Sequence, residues 1–274
     1  MVILGTIFLL NKFVECAPIV NKIVYAEQST SGAYTLDWQT KVNWQLITHF
    51  AYYVINPDSN GNIVQPVPAP STALVNKAHS EGVKITIAIS DGIVNNAQVM
   101  STLLADTNKM QNLANNLLAY IQLHNLDGVQ TDFEGIPKDS TVDGQPNKPR
   151  VVTLAQKIYN TLKAANSNYH VSWAPPKTAE NQYITPVWDF AQLHQYMDCF
   201  SIMSYQYIAP TSGRTGSHQP FEGGPYDGAI YGQTSPTKQF NFKNTVSEFI
   251  SAGVPRSKIV MGLGFYGFEW TNLN

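Results

Sequence analysis

The chain has 274 residues, enough for one large α/β domain or two small ones. Its 17 basic and 19 acidic side chains nearly balance, so nothing points to a nucleic-acid partner or a charged tail. The two cysteines, Cys16 and Cys199, form no CxxC pair and the six histidines form no HExxH, so neither a metal site nor a cofactor is expected.

The chain opens with an apolar run from Met1 to Leu10, too short to span a membrane. Residues 1–17 have the look of a secretory signal or its remnant, although no Lys or Arg precedes the run and Glu15 spoils a small-x-small site at Ala17. The alternative is a short extension packed on the domain. From residue 18 to 274 a single domain is expected. Its β-type runs are Lys22–Glu27, Ile47–Ile55, Val83–Ser90, Gly128–Glu134, His170–Pro175, Asp198–Tyr205 and Lys258–Phe265. Helical segments fall between them near 72–81, 96–123, 150–166, 187–196 and 243–252. The longest carries Leu103, Leu104, Met110, Leu113, Leu117, Leu118 and Ile121 at helical spacing. Strands alternating with helices predict an α/β fold, a (β/α)8 TIM barrel that reaches only seven strands before Asn274. An open edge would expose unpaired backbone, so the expectation is truncation before the eighth strand. The Gly-, Pro-, Ser- and Tyr-rich stretch from Gln206 to Phe240 falls where loops of the C-terminal barrel face belong.

The run Asp127-Gly-Val-Gln-Thr-Asp-Phe-Glu134 carries the chemistry. Side chains alternate along a strand, so Gln130, Asp132 and Glu134 share one face and Val129, Thr131 and Phe133 the other. Burying a charge without partners costs several kcal/mol, so aiming two carboxylates inward needs a reason. Without further context, a strand-end salt bridge or a Glu pointing into solvent is the better account of them.

The run resembles the Asp-Gly-x-Asp-x-Asp-x-Glu signature of the family 18 chitinases at Asp127, Gly128, Asp132 and Glu134. Ser201-Ile-Met-Ser-Tyr-Gln-Tyr207 is similar to that family's Met-x-Tyr-Asp strand at Met203 and Tyr205. Lys258–Gly267 resembles its lysine-led strand ending in Phe-Tyr-Gly, and Ile23-Val-Tyr25 and His49-Phe-Ala-Tyr52 also fit. The resemblance spans about residues 22 to 270. It implies hydrolysis of chitin or N-acetylglucosamine oligosaccharides by substrate-assisted retention, by a secreted protein expected to be monomeric. Glu134 would be the general acid, Asp132 would hold the substrate acetamido N–H, and Tyr205 would fix the acetamido carbonyl. Met203 would pack under the sugar. Gln130 and Gln206, with the aromatics Tyr25, Tyr52 and Trp173, complete the expected substrate contacts; for Trp173 a place in the core is equally open.

The chain also departs from the pattern. Gln130 stands where the family has its middle aspartate, Gln206 where it has Asp after the tyrosine, and Ala88-Ile-Ser-Asp91 where it has Ser-x-Gly-Gly. That serine supports the middle aspartate in the family, so Ala88 and Gln130 read as one linked change. Gly264 and Phe268 replace Pro and Arg, and Trp270 lies too close to its strand to be the family's floor tryptophan. Asp91 is either a loop cap or a groove carboxylate. His49 and His170 read as core groups, and Trp38 and Trp44 as packing. A chitinase-like lectin without activity is the alternative function, although such lectins lose the terminal Glu that this chain keeps. An endo-N-acetylglucosaminidase acting on glycoproteins would share the same core residues.

Overall fold

The computed structural model describes residues 23–27 (as backbone), 38–65, 67–92, 96–179, 184–209, 215–223 and 240–269. The possible signal, Cys16 and Trp270 lie outside these residues. Parallel strands β1 (Ile23–Glu27), β2 (His49–Pro57), β4 (Lys84–Ser90), β5 (Gly128–Asp132), β6 (His170–Trp173), β7 (Cys199–Ile202) and β8 (Ile259–Met261) pair in that order. A short β3 (Ile63–Val64), absent from the sequence reading, pairs antiparallel with the end of β2. Helices α1 (Thr72–Ser80), α2 (Asn96–Leu104), α3 (Thr107–Leu123), α4 (Lys148–Ala165), α5 (Phe190–Leu193) and α6 (Phe242–Ser251) fill the connections. The result is the architecture of a TIM barrel that, among the described residues, runs from β1 to β8 without closing. No described helix is long and apolar enough to cross a membrane.

The long helical segment expected over 96–123 is two helices. Asp106 lies in extended conformation between them, and its carboxylate accepts the Asn108 N–H at 2.8 Å, opening α3 afresh. The paired strands also stop earlier than expected, so Phe133 and Glu134, Met203 to Tyr205, and Gly262 to Phe265 already belong to the loops above the sheet.

The core lies between the outer sheet face and the helices. Ile85, Ile87, Ile89, Val129, Phe133 and Phe200 pack there with Leu103, Leu117, Leu154 and Ile158. Trp173 belongs to this layer. It has no exposed surface and meets Phe133 edge-on at 5.8 Å and Trp188 at 4.9 Å. Trp38 and Trp44 pack as expected, Trp44 stacking on Phe50 at 5.4 Å.

Two aspartates tie the strand beginnings together. Asp127 accepts the Ile85 N–H and Asp198 the Val171 N–H, each at 2.8 Å, so each carboxylate grips the neighbouring strand. Gly128 has φ 152°, and a Cβ there would lie 2.0 Å from the His170 carbonyl oxygen. The Asp-Gly start of the motif is therefore a joint: the aspartate holds β4 while the glycine admits β6.

The inner sheet face is polar. His49, Thr86, Gln130, Ser172 and Ser201 are all buried. His49 and His170 lie with ring centres 4.3 Å apart, and His170 meets the Cys199 thiol at 3.6 Å. Burial, and then the Lys84 ammonium, lower the His49 pKa to about 4. Burial, and then His49, lower that of His170. The unfolded chain takes up these protons below about pH 6.5. The folded chain resists them, so the pair favours folding above that pH and the advantage is lost as pH falls toward 4.

Two outcomes are expected. A His49→Gln, His170→Gln double variant should lose melting temperature less steeply than the wild type between pH 6.5 and 4. Comparing the two proteins removes the contribution of carboxylates that titrate in the same range. Trp173→Ala should lower stability by about 3–5 kcal/mol in denaturant unfolding, while KM for any substrate stays unchanged in the folded fraction.

Candidate active site

The site is built where β4, β5, β6 and β7 end. Pairing of Ser90 with Asp132 and of Ala88 with Gln130 fixes β5 against β4. Gln130 is fully buried, and its Oε1 accepts the Ser172 hydroxyl at 3.3 Å. Ala88 can offer no hydrogen bond, so support for the middle position comes from β6 instead of β4. Asp132, 8% exposed, points from the same strand face. Its Oδ1 and the Gln130 Nε2 are both buried without a hydrogen-bond partner among the described residues. A buried acceptor left unpaired costs about 1–3 kcal/mol, which a ligand N–H could recover.

Two residues further on, Glu134 stands at the open mouth of the cleft. Asp91, which follows β4, accepts the Glu134 N–H at 3.3 Å and the Gly135 N–H at 2.6 Å. This resolves its two readings in favour of a cap on the β5 exit. Burial raises the Asp132 pKa to about 7, with Glu134 and Asp91 adding to the shift. Glu134 is also raised, by partial burial and then by Asp91, while the Lys177 ammonium pulls it down. Carboxylates this close resist ionising together, so the cluster retains a proton at mildly acidic pH.

Lys177 follows β6. Its Nζ donates to the Gln206 carbonyl at 2.8 Å, and its own carbonyl accepts the Thr245 hydroxyl at 2.7 Å. Next to it, Glu248 accepts the Thr178 hydroxyl and the Ala179 N–H, anchoring this segment to α6. From β7, Met203 hangs on the Pro175 carbonyl and Tyr205 turns into the cleft, half-buried. Burial raises the Tyr205 pKa, and Tyr266, Asp132, Glu134 and Tyr53 add to the effect, so its hydroxyl stays a donor. Gln206 adopts φ 55° and donates from Nε2 to the Tyr266 hydroxyl at 2.6 Å. Its amide is thus engaged in holding the rim.

Of the residues expected here, Glu134, Asp132, Gln130, Met203 and Tyr205 come together, and Gln206 lies beside them. Two expectations are corrected. Trp173 faces the helices because Ser172, its neighbour, faces inward to Gln130. Tyr52 is 6% exposed and donates its hydroxyl to the Pro68 carbonyl, outside the cleft. The aromatic that β2 sends toward Tyr205 is Tyr53. Alternation from an inward His49 would have found it, since His49, Ala51 and Tyr53 share a face. Tyr25 lies on β1 opposite Ala51, with its side chain outside the described residues. Lys177 and His218 carry no sequence signal, because the loops that bring them in have no period; Tyr266 lies in the Phe-Tyr-Gly end matched above, but that match assigns it no contact.

The sequence pattern of the glycosyl hydrolases family 18 matches residues 21–274. Over 87 residues the chain is 32% identical to Chitinase C of Streptomyces lividans, which covers 31% of this chain and 13% of that protein. Over 238 residues it is 23% identical to a chitinase-like effector of Moniliophthora roreri, covering 85% of this chain and 55% of the other. The Group IV chitinase of Ostrinia furnacalis, solved with allosamidin, superposes with a TM-score of 0.71 at 22% identity. That superposition covers 88% of this chain and 64% of the other. The chain thus spans less than two thirds of the length of each of these proteins. A match over almost the whole sequence, on a fold shared with solved chitinases, makes this chain a member of the glycosyl hydrolases family 18.

Proposed function

We propose that the chain hydrolyses β-1,4-linked N-acetylglucosamine chains, in chitin or its oligosaccharides, by substrate-assisted retention. The observation that carries this reading is the buried, unpaired Asp132 Oδ1 two residues before Glu134, with the Tyr205 hydroxyl alongside. Protonated Glu134 gives its proton to the glycosidic oxygen as the C1–O bond breaks. The acetamido oxygen of the same sugar bonds to C1 and forms an oxazolinium ion, so no enzyme nucleophile is needed. Asp132 accepts the acetamido N–H and balances the cation, while Tyr205 donates to the acetamido oxygen and fixes its approach. Water then attacks C1 and passes a proton to the Glu134 carboxylate, which restores the acid and retains the configuration at C1. The same core chemistry would serve an endo-N-acetylglucosaminidase. We read the protein as secreted, since polymeric chitin lies outside cells.

A second reading is a glycan-binding protein without turnover. The glutamines Gln130 and Gln206, where the family pattern has aspartates, favour it. Hydrolysis of N-acetylglucosamine oligomers separates the two. Glu134→Gln should lower kcat by about 10²–10⁴-fold with KM little changed. Equal rates for variant and wild type, or binding without cleavage by the wild type, would leave the binding reading standing.

The carboxylate cluster also sets a pH dependence. Because Asp132 and Glu134 titrate high, kcat/KM should decline above about pH 7, where the pair loses its last proton. Gln130→Asp adds a negative charge beneath Asp132 and should move this basic limb to higher pH. An unchanged pH–rate profile would show that Gln130 has no part in tuning the pair.

A further inference from the structure

The exits of β4 and β5 are joined by one side chain. Asp91 is 5% exposed, and both of its carboxylate oxygens are committed to consecutive backbone N–H groups, those of Glu134 and Gly135. Two donors converging on one carboxylate fix the peptide plane between these residues, and charge-assisted bonds of this kind are about twice as strong as neutral ones. Neither alanine nor asparagine could replace it. Alanine offers no acceptor, and asparagine would set its NH2 group against one of the two N–H donors. Ser90 and Asp91 stand where the family pattern has Gly-Gly, so this clamp is a feature of this chain and not of the motif.

We propose that Asp91 is a positioning residue for Glu134: it fixes the backbone from which the acid projects and places a negative charge behind it. The inference rests on the reading of Glu134 as the general acid. Four groups face Glu134 from the packed elements: Asp91 after β4, Asp132 on β5, Lys177 after β6 and Tyr205 after β7. Among them Asp91 raises the affinity of Glu134 for its proton and Lys177 lowers it. Removing the Asp91 charge therefore makes Glu134 easier to ionise, and the basic limb of activity moves to lower pH.

The test measures kcat, KM and the pH–rate profile of Asp91→Asn and Asp91→Ala on N-acetylglucosamine oligomers. Misplacement of a reacting group by about 1 Å costs on the order of 10²-fold, so kcat should fall about 10–100-fold while KM stays within about twofold. The basic limb should move to lower pH in both variants, a change that simple loosening of the fold would not produce. In isotopically labelled wild type, the Gly135 amide shift should follow the Asp91 carboxylate titration. Hydrogen exchange at Glu134 and Gly135 should quicken at least about tenfold in Asp91→Asn. Wild-type kcat and pH profile in Asp91→Asn, with an active parent, would overturn the positioning role alone. A parent that cleaves no oligomer would overturn the acid reading instead. In that case unchanged exchange at Gly135 would overturn the clamp, and faster exchange would uphold it. If Asp91→Ala does not fold, the Asn variant and the wild-type amide titration carry the decision.

Discussion

Strand β5 is buried on both of its faces, and the rest of the domain is arranged around what each face requires. The outer face, Val129 and Thr131 with Phe133 beyond, is sealed by helices and by Trp173. The inner face carries Gln130 and Asp132, which water cannot reach freely and which apolar neighbours would not tolerate. The structure meets that demand with a lining of short polar groups, Ser172 from the adjacent β6 and Ser201 from β7 beyond it. Among the described residues, the Gln130 Nε2 and, on Asp132, the Oδ1 are left without a partner. Strand pairing holds this residue rigidly, so the unpaired oxygen has a fixed direction, which is what recognition of a substrate amide needs.

Electrostatics at the cleft follow from the same burial. Three carboxylates converge from the ends of two strands, and the Lys177 ammonium opposes them from a third. Desolvation is the largest influence on both Asp132 and Glu134, with the neighbouring carboxylates second. Proton affinity in the cluster is thus a property of the enclosure as much as of the motif. The loop residues that complete the enclosure, Gln206, His218 and Tyr266, hold one another by hydrogen bonds and ring contacts above the sheet.

Much of this arrangement was legible in the sequence, for reasons that differ from residue to residue. The strand order follows from apolar runs separated by amphipathic helices, and the inward set Gln130, Asp132 and Glu134 follows from period-two alternation. Where alternation was not carried through, the reading failed. Tyr52 was chosen for the cleft although Tyr53 shares the face of His49. Trp173 faces outward because Ser172 faces inward. The break at Asp106 was hidden because apolar spacing continues across it, and only the capping side chain marks it. For Asp91 the sequence leaves cap and groove carboxylate open, and Lys177 carries no signal at all. Their importance lies in contacts distant in sequence, Asp91 with Glu134 43 positions on and Lys177 with Gln206 29 positions on, which no local pattern encodes.

The row Ala88, Gln130, Ser172 bears on how such a site can change over time. The hydroxyl that steadies the middle position comes from β6, and Gln130 already accepts it. Introducing serine at position 88 alone would bury a second hydroxyl beside an amide oxygen already engaged. Introducing aspartate at position 130 alone would set a new charge on a row with only one donor. Replacing either residue thus changes what the other requires, so the effects of the two substitutions should not simply add.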